Sequence, residues 1–141
     1  MEKPKVLFLC TGNSARSQMA EAFLKKYGAQ NFEVYSAGFE PKGIHPYTLM
    51  VMAEKGFELA GHYSKGVQDF LGKMSFDFLI TVCNRAEKDC PYAFPGVRQR
   101  LFWPFEDPAA YQGPENEKLE KFRQIRDQIE SRIQLWLQEQ P

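Results

Sequence analysis

The 141-residue sequence predicts an α/β fold in which helices pack against a parallel β-sheet. Two patterns indicate this fold. Short apolar runs typical of buried strands alternate with longer segments whose apolar residues recur every three or four positions, as they do in helices. The segments between the predicted strands are long enough for the crossovers that parallel neighbours require. A chain of this length can bury one core, so we expect a single domain over residues 1–141.

The first half of the chain predicts two strand–helix pairs. Lys5–Leu9 is an apolar run typical of a buried strand, and a helix is predicted to begin near Arg16. A second strand is predicted over Phe32–Ser36. Pro46 suits the first turn of the next helix, which we predict over Pro46–Lys55 with Gly56 ending it.

The second half predicts two more strands and a long helix. Phe76–Val82 is almost continuously apolar, which is typical of a central parallel strand, and a fourth strand is predicted at Arg100–Trp103. From Glu115 onward the apolar residues mark one amphipathic helix, anchored near its end by Trp136. The sequence therefore predicts a three-layer sandwich, a four-stranded parallel sheet flanked by helices.

Composition argues against several classes of protein. Lys and Arg together number 18, as do Asp and Glu, so the chain lacks the excess positive charge of a nucleic-acid or anionic-membrane binder. No apolar run is long enough to span a bilayer, and the N-terminus does not resemble a secretory signal. We expect a cytoplasmic monomer with no nucleic-acid or membrane partner.

A cysteine and an arginine bracket the loop between the first strand and the first helix. The string Cys10-x5-Arg16-Ser17 contains small residues that let backbone N–H groups point inward around an anion, at the positive end of a helix. Arg16 adds a fork of donors, and Ser17 is placed to stabilise Cys10 as a nucleophilic thiolate. Alone, Cys10 would more often be a buried core residue in an ordinary turn, but the full string favours an oxyanion site. Its predicted anion-binding residues are Thr11, Gly12, Asn13, Ser14, Ala15 and Arg16.

The segment from Cys10 to Glu21, CTGNSARSQMAE, resembles the active-site loop of the low-molecular-weight protein tyrosine phosphatase superfamily. Within that superfamily the chain is most similar to the thioredoxin-coupled arsenate reductases. Gln18 stands where phosphatases commonly have proline, which favours the reductase branch. The resemblance covers nearly the whole chain and continues through Tyr35-Ser36-Ala37-Gly38, Val82-Cys83, Cys90-Pro91, Trp103, Asp107-Pro108 and the segment from Phe122 to Asp127. Two departures are Ala15, where many relatives have a further cysteine, and Lys65, where some have aspartate.

The resemblance implies that the protein reduces arsenate to arsenite, as in arsenical resistance and detoxification. Cys10 would attack arsenate while Asp107 protonates the leaving oxygen. Asp before Pro is also a common turn or helix cap, and Glu106 is a second candidate acid. Phosphate and sulfate would bind as analogues of arsenate.

The resemblance also implies a disulfide relay. Cys83 would form a disulfide with Cys10 and release arsenite, and Cys90 would then form a disulfide with Cys83 that thioredoxin reduces. No cofactor would be tightly bound, and the cysteine and histidine spacing argues against zinc. A glutaredoxin-type reductant remains open. The alternatives are a tyrosine or aryl phosphatase that uses Cys10, Arg16 and Asp107, and an oxyanion-binding or redox-sensing module without turnover.

A lysine stands at a position of particular interest. In some relatives Asn13, Glu21, Ser36 and an aspartate form a potassium site that steadies the active-site loop. Here Lys65 replaces the aspartate, so we predict that its ammonium pairs with Glu21 and that activity does not require potassium. A merely solvated lysine is the alternative. His45 and His62 are interpreted as helix-entry and loop residues, with no catalytic or metal-binding role.

Overall fold

The computed structural model describes residues 3–13, 15–59, 62–70, 73–83 and 97–140. Ser14 and Cys90 therefore lie outside the described residues. All four described strands are parallel, in the spatial order β2-β1-β3-β4, which confirms the predicted four-stranded parallel sheet. The strands are β1 (Lys5–Cys10), β2 (Glu33–Gly38), β3 (Phe78–Thr81) and β4 (Gln99–Phe102).

The described helices follow the predicted order. They are α1 (Arg16–Gly28), α2 (Pro46–Ala53) and α3 (Glu115–Glu139), with short 3-10 turns at Val67–Asp69 and Pro108–Ala110. Helix α3 packs against both α1 and α2. Its buried side chains recur at three- and four-residue steps, and the predicted anchor Trp136 is among them.

The two faces of the sheet carry different aromatic clusters. Side chains alternate along each strand, and the register places Val34 and Phe78 on one face and Tyr35 on the other. Phe78 contacts Trp136, so the first face is covered by α3. Tyr35 contacts Phe70, which directly follows the 3-10 turn at Val67–Asp69. Chain segments therefore cover the sheet on both faces, as a three-layer sandwich requires.

The predicted bounds differ from the observed ones by a few residues. Strand β3 is shorter than predicted. Phe76 and Val82 are buried like strand residues, but the strand itself spans only Phe78–Thr81. Helix α2 ends at Ala53 rather than Lys55, and the chain turns there through Gly56 at φ +84°. Strand β4 begins and ends one residue earlier than predicted. Burial predicts strands well but marks their ends poorly, because side chains are buried beyond the last paired residue.

Among the described residues, no helix has the length and apolar character needed to cross a membrane.

Candidate active site

The loop between β1 and α1, residues 10–16, is here called the anion loop. Asn13 has φ +50°, a left-handed conformation that Asn tolerates better than most non-glycine residues. Neighbouring segments hold the loop from outside: the backbone N–H of Glu40 donates to the Thr11 carbonyl at 2.8 Å, and the Ser64 hydroxyl donates to the Gly12 carbonyl at 2.9 Å. These bonds tie the Thr11 and Gly12 carbonyls to neighbouring segments of the chain.

Gly38, the last residue of β2, lets the anion loop lie directly against the sheet. A Cβ atom there would lie 2.6 Å from the Thr11 carbonyl oxygen and 2.7 Å from the Asn13 backbone nitrogen. Both are backbone atoms, which a side-chain rotation cannot move away. The lack of a side chain at Gly38 is therefore a requirement of this loop conformation.

Cys10 ends β1 with its sulfur surrounded by donors. The residue is 2 % exposed, and its Sγ lies 2.9 Å from the Ser17 Oγ and 3.2 Å from the Asn13 backbone nitrogen, which donates to it. The Asn13 side-chain amide donates to the same Ser17 oxygen at 2.7 Å. Since that oxygen already accepts, its single proton is available to the sulfur. Two donors, the Ser17 hydroxyl and the Asn13 backbone N–H, therefore point at the Cys10 sulfur.

Arg16 joins the start of α1 to the loop that follows β4. Its Nη1 donates to the Phe105 carbonyl at 3.0 Å, and its Nη2 lies 3.9 Å from the Asp107 Oδ2. The Asp107 side chain is about half exposed and also accepts from the Ala109 backbone N–H at 3.0 Å, capping the 3-10 turn. Asp107 is therefore the predicted cap and lies beside Arg16, while its role as an acid stays a prediction.

The second candidate acid, Glu106, has a different partner. Its Oε2 lies 2.6 Å from the Lys121 Nζ on α3. This ion pair ties the loop after β4 to the long helix, one residue before Asp107.

A cleft of about 740 Å³ collects most of the predicted catalytic residues. Cys83 lies just after the end of β3 and is 3 % exposed. Its Sγ lies 3.6 Å from the Thr11 Oγ1. Cys10 and Cys83 both line this cleft and are both buried. The lining includes Cys10, Thr11, Gly12, Ala15, Arg16, Lys42, His45, Cys83, Glu106 and Asp107. The structure thus brings two of the three cysteines, the arginine and the candidate acid to one cleft.

Lys65 lies behind the anion loop and contacts Glu21, as predicted. Its Nζ is 3.3 Å from the Glu21 Oε1, while Ser36 donates to that same oxygen and Lys25 contacts the other at 2.6 Å. Burial alone would raise the pKa of Glu21, but the bonds from Lys25 and Ser36, with the charge of Lys65, bring that pKa below its ordinary value. The carboxylate is therefore ionised and already neutralised by two ammonium groups. These residues do not fit a potassium ion, because Lys65 occupies the place facing Glu21.

The same cluster is connected to the anion loop. The Lys65 backbone N–H donates to the Asn13 Oδ1 at 2.7 Å, and the Gln18 side-chain amide donates to that oxygen at 2.9 Å. Gln18 also donates to the Tyr63 carbonyl at 3.0 Å. The Asn13 side chain is thus bonded to Lys65, Gln18 and Ser17, which holds its left-handed backbone in place.

The cleft also contains residues that the sequence did not predict there, among them Lys42 and His45. His45 is the helix-entry residue predicted, and it also lines the cleft with Cys10 and Asp107. Nothing in its spacing signals this, since the loop that brings it there is fixed by tertiary contacts. His62 lies elsewhere, in a groove with Phe57 and Leu59. Among the described residues, no group of three or more His, Cys, Asp or Glu side chains could hold a metal ion.

Comparison with known proteins agrees with the fold and the loop. The family model for low molecular weight phosphotyrosine protein phosphatase matches residues 5–140. An arsenate reductase of Halalkalibacterium halodurans is 42% identical over 134 residues, 94% of each chain. A solved arsenate reductase in the phosphate-binding state superposes with a TM-score of 0.79 at 31% identity, over 96% of this chain and 98% of that one.

A further solved structure is a thioredoxin-dependent arsenate reductase of Corynebacterium glutamicum. It is 30% identical, with a TM-score of 0.61, and the match covers 94% of this chain and 63% of that one. The sequence matches extend over almost the full length of the chain and include the anion loop. The chain belongs to the low molecular weight phosphotyrosine protein phosphatase family and is related, within it, to arsenate reductases.

Proposed function

We propose that this protein reduces arsenate to arsenite through Cys10, with Cys83 and Cys90 completing a relay that thioredoxin regenerates. The observation that carries the proposal is the presence of two cysteines, Cys10 and Cys83, in one cleft with Arg16 and Asp107. A hydrolase of this family requires only the first of the two thiols. The arsenate reductases among the relatives support the same reaction.

The first step uses the residues around the anion loop. Arg16 and the loop N–H groups hold the arsenate oxygens, and the Cys10 thiolate attacks arsenic. Asp107 donates a proton to the oxygen that departs, which leaves as water. The product is a covalent Cys10 sulfur–arsenic bond with arsenic still in its oxidised, pentavalent state.

The second step moves two electrons to arsenic. The Cys83 sulfur attacks the Cys10 sulfur, a disulfide forms between them, and the electron pair of the sulfur–arsenic bond stays on arsenic. Arsenic leaves as trivalent arsenite, and the two thiols have supplied the two electrons. Thr11, 3.6 Å from the Cys83 Sγ, is the described loop residue that contacts this second nucleophile.

The third step follows from burial. Cys10 and Cys83 are only 2 % and 3 % exposed, so an external protein dithiol has no direct access to a disulfide between them. This burial supports a third cysteine as the residue that carries the oxidation outward. We assign this role to Cys90, which lies outside the described residues: it attacks Cys83, frees the Cys10 thiolate and leaves a Cys83–Cys90 disulfide for thioredoxin.

A phosphatase is the second candidate, because Cys10, Arg16 and Asp107 suffice for phosphate ester hydrolysis. Phosphate and arsenate have nearly the same shape, so the anion loop should bind both. Weak hydrolysis of an aryl phosphate is therefore expected even of a reductase. Hydrolysis alone does not distinguish the two functions.

The distinguishing experiment measures arsenate-dependent NADPH oxidation with thioredoxin and thioredoxin reductase. The wild-type protein should turn over many times, whereas Cys83→Ser and Cys90→Ser should stop after at most one arsenate. Cys10→Ser should not react at all. Mass spectrometry of the stalled Cys90→Ser protein should find the Cys10–Cys83 disulfide.

The opposite result has an equally clear meaning. If arsenate causes no NADPH oxidation with either thioredoxin or glutaredoxin, while wild type and both serine variants at positions 83 and 90 hydrolyse an aryl phosphate, the protein is a phosphatase.

A further inference from the structure

We propose that His45 is an oxyanion-binding residue of the cleft, donating a hydrogen bond from its Nε2–H to the tetrahedral anion held by the anion loop. The proposal deepens the proposed function, since it adds a binding residue to the same site. It rests on the geometry of the His45 ring, which fixes both its orientation and its tautomer.

The start of α2 fixes the tautomer. His45 is the N-cap of this helix, and its Nδ1 accepts the Tyr47 backbone N–H at 3.0 Å. A ring nitrogen that accepts a hydrogen bond carries no proton. The proton of the neutral ring is therefore on Nε2, which makes that nitrogen a donor.

Aromatic packing fixes the ring. The imidazole lies against Phe122 with 4.8 Å between ring centroids and against Tyr47 with 5.2 Å. A flip of the ring would keep these contacts but would lose the cap, because it would replace Nδ1 by a carbon atom. The Nε2–H has no hydrogen-bond partner in the part of the chain that the structure describes, although His45 lines the cleft with Cys10 and Arg16.

Burial, with a smaller contribution from a nearby ammonium, favours the neutral form of the ring. Burial lowers the pKa of His45, the Lys118 ammonium on α3 lowers it further, and the Asp107 carboxylate acts in the opposite direction. The net result is a pKa below the ordinary value, so the cap on α2 is intact at neutral pH. A neutral donor adds a hydrogen bond to the bound anion without adding charge to a cleft that already contains Arg16 and Lys42.

The test is the binding of inorganic phosphate, measured by isothermal titration calorimetry in the absence of any reductant protein. His45→Asn is the informative variant, because asparagine is a strong N-cap and its side-chain oxygen can replace Nδ1 as acceptor. We expect it to bind phosphate about tenfold more weakly, the size of one lost hydrogen bond to a charged group. The arsenate KM should rise by a similar factor with kcat nearly unchanged. His62→Asn, the matched change outside the cleft, should bind phosphate as wild type does.

A second measurement needs no change at position 45. The chain has two histidines, so the nitrogen NMR spectrum of His62→Asn contains a single imidazole. Without phosphate it should show Nδ1 unprotonated and Nε2 protonated, and phosphate should shift the Nε2 and its proton most. Phosphate affinity unchanged in a folded His45→Asn protein, or an Nε2 signal unmoved by phosphate, would overturn the proposal.

The two proposals fail separately. If wild type reduces arsenate but His45→Asn binds phosphate normally, only the role of His45 is wrong. If wild type reduces no arsenate but His45→Asn still weakens phosphate binding, His45 is a binding residue of a different enzyme.

Discussion

Two adjacent carboxylates, Glu106 and Asp107, follow β4, and their surroundings separate their roles. The Asp107 Oδ2 lies 3.9 Å from Arg16, beside the anion loop, whereas Glu106 is paired with Lys121 at 2.6 Å. We expect Asp107→Asn to lower kcat for arsenate reduction by about 100-fold, the typical size of a general-acid contribution. Single-turnover formation of arsenite, followed by mass spectrometry, measures this step directly.

Glu106→Gln is the matched control for this prediction. It removes one negative charge one residue away, and the amide can still accept from Lys121, so the rate should stay within about twofold of wild type, as for most surface substitutions. A larger loss of rate in Glu106→Gln than in Asp107→Asn would show that Glu106, and not Asp107, is the general acid.

Lys65 leads to a prediction about cations. Wild-type activity should be the same in potassium chloride and in tetramethylammonium chloride, because the Lys65 ammonium already faces Glu21 at 3.3 Å. Lys65→Asp should convert the cluster to one that binds potassium, since it removes an ammonium and adds a carboxylate beside Glu21 and Ser36. Its melting temperature and arsenate turnover should then rise with potassium concentration.

Lys65→Met is the control for this change. It removes the ammonium without adding a ligand, so its response to potassium should be weaker than that of Lys65→Asp. Potassium activation of the wild-type protein would contradict the prediction.

For single residues, the sequence predicts contacts between neighbours along the chain better than contacts between distant residues. Cys10, Arg16 and Ser17 lie within one loop, so their spacing alone indicates an oxyanion site. The positions of Cys83 and Asp107 follow only from the family resemblance. His45 was missed because its contacts with Phe122 on α3 span most of the chain and leave no local pattern.

At the scale of the elements, the packing of the anion loop against β2 depends on Gly38. We expect Gly38→Ala to destabilise the protein by about 1–3 kcal/mol, the usual cost of overpacking. The added Cβ would displace backbone atoms of Thr11 and Asn13. Because this displacement changes the shape of the anion loop, phosphate affinity should fall at least tenfold. Urea unfolding and phosphate titration measure the two effects.

Gly113→Ala is the matched control. The Cβ added there meets side-chain atoms of Tyr111 and Glu117 rather than backbone. Its stability should change by less than about 0.5 kcal/mol, as expected for a surface site. Wild-type phosphate affinity in Gly38→Ala would show that the loop does not depend on this close approach.

The kinds of element were predictable because apolar runs and helical stripes are local. The number of strands and their parallel orientation also follow, since each predicted pair is separated by a crossover segment. Pairing in the sheet ladder is not local: Phe76 is as buried as the paired residues of β3 but lies outside the strand. Burial and pairing therefore give different ends for the same element.

Across the whole molecule, Arg126 links α3 to α2. It is 8 % exposed, and its Nη1 donates to the Val51 carbonyl at 2.9 Å and to Glu54 at 2.8 Å. Val51 lies in the last turn of α2, where helix carbonyls lack partners within the helix. We expect Arg126→Met to lower the free energy of unfolding by about 1–3 kcal/mol, because it removes the side-chain donor to this buried carbonyl.

Arg98→Met tests whether the effect is specific to the link between helices. The Arg98 side chain is 81 % exposed and pairs with Asp77 at 3.5 Å, so its loss should cost less than about 0.5 kcal/mol. Equal destabilisation of the two variants, measured by urea unfolding, would show that Arg126 contributes only as a surface charge.

The adjacency of β1 and β3 in the sheet has an evolutionary consequence. Cys10 ends one strand and Cys83 follows its neighbour, whereas the contacts of Arg16 with Phe105 and Asp107 do not involve the second thiol. Under the proposed relay, a hydrolase with this fold would gain reductive chemistry by acquiring cysteines at and after the exit of a single strand. Loss of the same cysteines would leave Cys10, Arg16 and Asp107 in place. The proposed relay therefore predicts that a few substitutions in one stretch of chain separate hydrolysis from reduction, in either direction.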